Sequence, residues 1–136
     1  MRYLILTAAV ALAGCSAVTK PLPAEQAKPV PAARVKGFQH PPAGDYGTLL
    51  ITRDSHAFSG ADVKVTIGRQ AAAELAQGET VKLYLPAGDS IIGATRSAVF
   101  DEPEAEAEVT LKPGQVKRYR LSIRGADGVI ISPTAY

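Results

Sequence analysis

Four places in the sequence hold residue types capable of chemistry: Cys15, the run Asp54, Ser55, His56, the acidic stretch "DEPEAEAE" from residue 101, and His40 in a proline-rich segment. A Ser, His and Asp triad needs side chains that converge from separate positions, and three consecutive residues rarely point at one centre. The run Asp54 to His56 therefore reads as a turn whose aspartate and serine cap their own backbone. No His and Cys pair has metal-ligand spacing, and the acidic stretch lacks the glycine and oxygen-ligand pattern of an EF-hand loop. "ADG" and "PAG" are turn elements, not phosphate-cradling loops. The expectation is a protein without catalytic residues, cofactor or metal. That leaves Cys15, the only cysteine in 136 residues, so no internal disulfide is possible.

The context of Cys15 is specific. Arg2 supplies a positive start, residues 3–13 form a short apolar run, and small residues follow up to the cysteine, the pattern of a secretory signal peptide. The run is too short for a spanning helix, which needs about 20 apolar residues. Leu12-Ala13-Gly14-Cys15 closely resembles the bacterial lipobox. That resemblance implies a diacylglycerol on the Cys15 thiol, cleavage before it so that residues 1–14 are lost, and acylation of the new amino terminus. One acyl chain anchors marginally and three hold firmly, at about 0.8 kcal/mol per buried methylene. Ser16 after the cysteine, rather than aspartate, points by the same resemblance to the outer membrane, with the domain facing the periplasm.

The chain carries 15 Lys and Arg against 13 Asp and Glu, so loss of Arg2 with the leader leaves it close to neutral. Residues 16–42 are basic, with Lys20, Lys28, Arg34 and Lys36 against Glu25, and the remainder is slightly acidic. Neither half suggests nucleic-acid binding. A basic stretch beside a lipid anchor adds attraction to anionic headgroups, and it also suits a plain soluble spacer. Prolines at 21, 23, 29, 31, 41 and 42 oppose regular helix and strand pairing. Residues 15–42 are thus expected to be a lipidated, disordered tether unable to pack a core, about 80 Å long if extended and about 30 Å if coiled.

From residue 43 the texture changes to short alternating runs separated by Gly, Pro and Asp, as an antiparallel all-β domain over 43–136 requires. Strands are expected at 46–53, 62–69, 71–76, 80–86, 90–100, 105–112, 116–124 and 128–133. "QAAAELAQ" has high helix propensity, but a helix there would have barely two turns, so a short strand is preferred. The segments "GTLLITRD", "VKVTIGRQAAAELAQGE", "LYLPAGDSIIGA" and "VTLKPGQVKRYRL" resemble a family of small β-sandwich domains of bacterial lipoproteins, of unknown function and PEGA-like in pattern. The resemblance implies an antiparallel immunoglobulin-like or transthyretin-like sandwich of seven or eight strands, an envelope location and no reaction.

Two kinds of function fit. One is a structural or protein-interaction module held to the membrane by acyl chains, with another envelope protein as partner. The other is a module that binds peptidoglycan or another glycan through aromatic platforms; there is no Trp, and Tyr46 and Tyr136 are the better exposed candidates, Tyr84 and Tyr119 lying within strands. Alternation also places Glu104, Glu106 and Glu108 in one row and Arg118, Arg120 and Arg124 in another. A hairpin through Pro113, Gly114 and Gln115 would pair Val109 with Tyr119, Glu108 with Arg120 and Glu104 with Arg124, a solvent-facing ladder. The anchor has a direct test: Cys15→Ala is expected to abolish metabolic labelling with palmitate and to leave an uncleaved precursor.

Overall fold

The computed structural model describes residues 19–55, 60–97 and 102–136. Cys15, Ser16, the lipobox and the leader lie outside the described residues, as do His56 and the last part of the expected strand 90–100. The described residues form an all-β fold of nine strands in two sheets, without an α-helix. The strands are β1 (Lys28–Pro29), β2 (Tyr46–Arg53), β3 (Val63–Ile67), β4 (Gln70–Leu75), β5 (Glu79–Pro86), β6 (Gly88–Arg96), β7 (Ala105–Leu111), β8 (Val116–Arg124) and β9 (Gly128–Pro133). One sheet has the order β1-β5-β2-β8-β9 and the other β4-β3-β6-β7.

The alternation in the sequence fixes which side of each strand is buried. Leu49 and Ile51 of β2, Val63, Val65 and Ile67 of β3, Val81, Leu83 and Leu85 of β5, and Tyr119, Leu121 and Ile123 of β8 all turn inward and form one core between the sheets. The alanine-rich segment is strand β4, not a helix. Its register with β3 slips at Val65 and Thr66, so that Ala72 is an extra residue in the pairing. Both Ala72 and Ala73 are buried, and a bulge that turns two successive side chains inward suits residues this small. The β3 to β4 turn is Gly68 and Arg69, both at positive φ, 55° and 70°, the primed two-residue geometry whose twist matches the flanking strands.

Residues 19–42 depart from the expected tether. They form a strap that crosses the five-stranded sheet and then closes the neighbouring edges of both sheets. Lys20 exchanges two backbone hydrogen bonds with Ser55, both 3.1 Å, and β1 runs parallel to β5, with Lys28 N–H donating to Gly78 O and Val30 N–H to Thr80 O. Further on, Val35 bridges Ala73 of β4 and Lys36 N–H donates to Ala72 O. The chain then returns to β5, where Tyr84 N–H donates to Phe38 O and the Gln39 side chain to Lys82 O. Val30 is only 8% exposed and belongs to the core, with Val35 and Phe38 packed against it. Proline rules out a central strand, but it is compatible with pairing along an edge. The prolines alternate here with single apolar residues that need to bury only one side chain each.

Arg34 pins the strap. Its guanidinium donates two parallel bonds to Glu79, at 2.6 and 2.7 Å, and a third to Glu74 O at 3.1 Å, while Glu79 also accepts from Ala76 N–H. Burial pushes the Glu79 carboxyl up, but the Arg34 and Ala76 hydrogen bonds outweigh it and hold the group below the usual carboxylate range. A depressed carboxyl contributes stability that is present above its unfolded value and lost as pH falls through the folded one. In Arg34→Ala the remaining burial opposes the charged form instead. The substitution is expected to cost about 2 kcal/mol at pH 7, with the gap to the parent narrowing below about pH 4 as Glu79 protonates. Urea unfolding at both pH values checks this.

Candidate functional site

The two ends of the fold differ in chemistry. At the end where β2 and β8 finish, charged groups are packed together. Arg53, inward-facing and fully buried, donates to Ala61 O and Leu75 O at 2.8 Å each. Burial lowers its pKa, an effect countered by nearby Asp62 and Glu79. On the other sheet Arg96 holds Glu102 through its side chain and its own N–H, and these bonds keep the Glu102 carboxyl below its ordinary value.

Asp54 is the centre of this end. Its side chain is 1% exposed and accepts from Arg120 on β8, with Nε at 3.1 Å and Nη2 on the second oxygen. Thr19 Oγ1 donates to the same carboxylate at 2.8 Å and in turn accepts the Ile123 N–H. The expected backbone-capping turn is therefore replaced by a clamp joining β2, β8 and the first described residue of the strap. Sequence reasoning missed Thr19 and Arg120 as partners because they lie 35 and 66 residues from Asp54. A faint cue existed: an aspartate directly after an inward-facing arginine, at the end of an otherwise apolar strand, needs a cation from elsewhere.

The Glu and Arg ladder does not form. β7 pairs with β6 in one sheet, while β8 pairs with β2 and β9 in the other. "KPGQ" is the crossing between the sheets, with Gln115 N–H donating to Lys112 O. Arg118 meets Glu25 of the strap at 2.7 Å, and Glu104 lies across Gly93 to accept from Thr66 Oγ1 at 3.0 Å. A Cβ on Gly93 would sit 1.9 Å from that carboxylate. The contact that does join β7 and β8 is between Tyr119 and the Glu108 backbone, hydroxyl to carbonyl at 3.1 Å; burial, with the nearby Glu108 charge, raises the Tyr119 pKa.

The opposite end is apolar and exposed. Tyr46 opens β2 and Val116 opens β8, one step apart in the parallel register in which Val116 pairs with Thr48. Tyr136 follows β9 there, beyond Thr134, whose N–H bonds Arg118 O. Their exposures are 37%, 54% and 55%. Tyr46 is braced edge-on by Tyr84, with ring centres 6.0 Å apart, and borders a hollow of about 340 Å³ with Gly44, Asp45, Thr48, Pro113 and Gly114. Both tyrosines singled out from the sequence are thus brought to one end, and Val116 joins them. Eight residues of β2 place this end about 25 Å from the Asp54 clamp.

The outer faces also differ in charge. The five-stranded sheet presents Lys82, Arg118, Arg120 and Arg124, the four-stranded sheet Glu104, Glu106 and Glu108. Among the described residues no group of three or more His, Cys, Asp or Glu is placed to hold a metal ion.

A double-mutant cycle on Asp54 and Arg120 is expected to show coupling of about 1 to 3 kcal/mol. The same cycle on Glu108 and Arg120 should give a value near zero, and equal couplings would contradict this arrangement. No protein-family model and no curated protein matches the sequence.

Proposed function

We propose that this chain is a non-catalytic lipoprotein, anchored through Cys15 to the bacterial outer membrane and facing the periplasm, that acts as a protein-interaction module. Its two sheets are read as an immunoglobulin-like or transthyretin-like sandwich of the PEGA-like kind. The observation that carries the reading is the gathering of Tyr46, Val116 and Tyr136 at one end of the five-stranded sheet, remote from the point where the strap enters at Thr19. Aromatic residues that are exposed yet braced by neighbours are favoured at protein contacts, since they lose little freedom on binding. Lipidation fixes one end at the bilayer and leaves the other to an envelope protein.

The hollow beside Tyr46 favours a second reading. A braced tyrosine next to the Asp45 carboxylate and open backbone is the kind of surface on which a sugar ring stacks, so the module would bind peptidoglycan or another glycan. A photo-crosslinking residue at position 46 or 136, in cells, is expected to trap one envelope protein, while the same residue at Lys64 on the other sheet traps none. Retention of the protein on purified sacculi, lost in Tyr46→Ala, together with no protein adduct would select the glycan reading instead.

A further inference from the structure

The charged end carries a feature that the interaction reading does not use. Strap, β8 and β9 enclose a groove of about 360 Å³ lined by Thr19, Arg120, Ser122, Arg124, Ile130 and Ser132. Its one carboxylate neighbour, Asp54, is sealed: 1% exposed and bonded by both Arg120 and Thr19. Arg120 spends Nε and Nη2 on that carboxylate and keeps its remaining N–H groups. Arg124 forms no ion pair among the described residues. Ser122 and Ser132 sit side by side on neighbouring strands, in the rows that pair Ser122 with Ile130 and Arg120 with Ser132. Two guanidinium groups, one of them uncompensated, and two hydroxyls form a donor set without an available acceptor charge. Such a set suits a tetrahedral oxyanion.

Position decides which oxyanion. Thr19, in the groove wall, is four positions after Cys15, and four residues of chain reach at most about 14 Å. Lys20 follows on the strap, adding a second cation at the same place. We propose that the groove binds the phosphate of an anionic phospholipid headgroup, so that the charged end of the fold sits on the bilayer. The proposal rests on Cys15 being the lipid anchor. A single acyl chain binds weakly and gains from a basic patch beside it. The groove would set the direction in which the anchored domain stands, with Tyr46 and Tyr136 outward.

All described contacts lie in residues 19–136, so the mature chain from residue 16, prepared without acyl groups, retains them and isolates the groove from the anchor. The chain is expected to co-sediment with vesicles of phosphatidylcholine and phosphatidylglycerol and not with phosphatidylcholine alone. Arg124→Gln and Lys20→Gln should each weaken this by about fivefold, whereas Lys64→Gln, which removes the same charge from the opposite sheet, should leave it unchanged. In amide spectra, short-chain phosphatidylglycerol should shift Ser122, Arg124 and Ser132. Equal loss with Lys64→Gln would reduce the effect to net charge and overturn the groove. Shifts with inorganic phosphate but no binding to either vesicle would overturn the headgroup as the source and leave a soluble phosphate ligand. Palmitate labelling of Cys15 is read separately, so a failed anchor and a failed groove give different results.

Discussion

A carboxylate with almost no contact with water stays charged only if donors replace its hydration, and at Asp54 those donors come from β8 and from the strap. Removing one partner of a buried pair costs far more than the pair contributes relative to apolar residues. The cluster therefore acts as a condition of assembly. With Arg120 and Thr19 absent, the end of β2 would carry an unpaired charge beside the buried Arg53. With both in place, three segments distant in sequence are held at one point. The parallel register of β2 and β8, the entry of the strap and the shape of the phosphate groove all follow from that point.

A second constraint is the treatment of sheet edges. Two sheets have four edges, each a row of unpaired N–H and C=O groups that invites association with other chains. The strap covers β5 and β4, which lie on the same side of the molecule, using two short pairings with β5 and one with β4. No long strand is needed, so the interrupted alternation of a proline-rich segment suffices. Polyproline-like chain is already extended, and fixing it against an edge costs less backbone entropy than fixing a flexible segment.

Strand positions and inward faces were legible because alternation reports burial directly: Val63, Val65 and Ile67, or Val81, Leu83 and Leu85, leave few other solutions. The helix-favouring composition around Ala72 was overridden by pairing with β3. What alternation does not report is which strand lies next to which. The charges of Glu108 and Arg120 agreed with a hairpin register that the fold does not use, since matching two outward rows says nothing about whether they share a sheet. The strap was misjudged for a related reason: Val30, Val35 and Phe38 are single apolar residues without period, and their burial depends on an edge made by residues 40 or more positions later. Tyr46 and Tyr136 were correctly placed on the surface, whereas the Thr19, Asp54 and Arg120 cluster needed the tertiary structure to appear.

The bond between Thr19 and the Ile123 backbone spans 104 residues, and Glu25 reaches Arg118 across 93. Contacts of such sequence separation close the largest loops and are slow to form. For a chain that crosses a membrane starting from its amino terminus, this sets an order of events. The strap and β2 emerge first but have no partner until β8 arrives, so the five-stranded sheet closes only near the end of translocation. Until then the segment just behind Cys15 is extended and unclamped, the state in which an enzyme that cuts or acylates at Cys15 would find its substrate accessible. Folding thereafter draws that segment onto the sheet, so the same residues serve first as an open substrate and then as a closed wall.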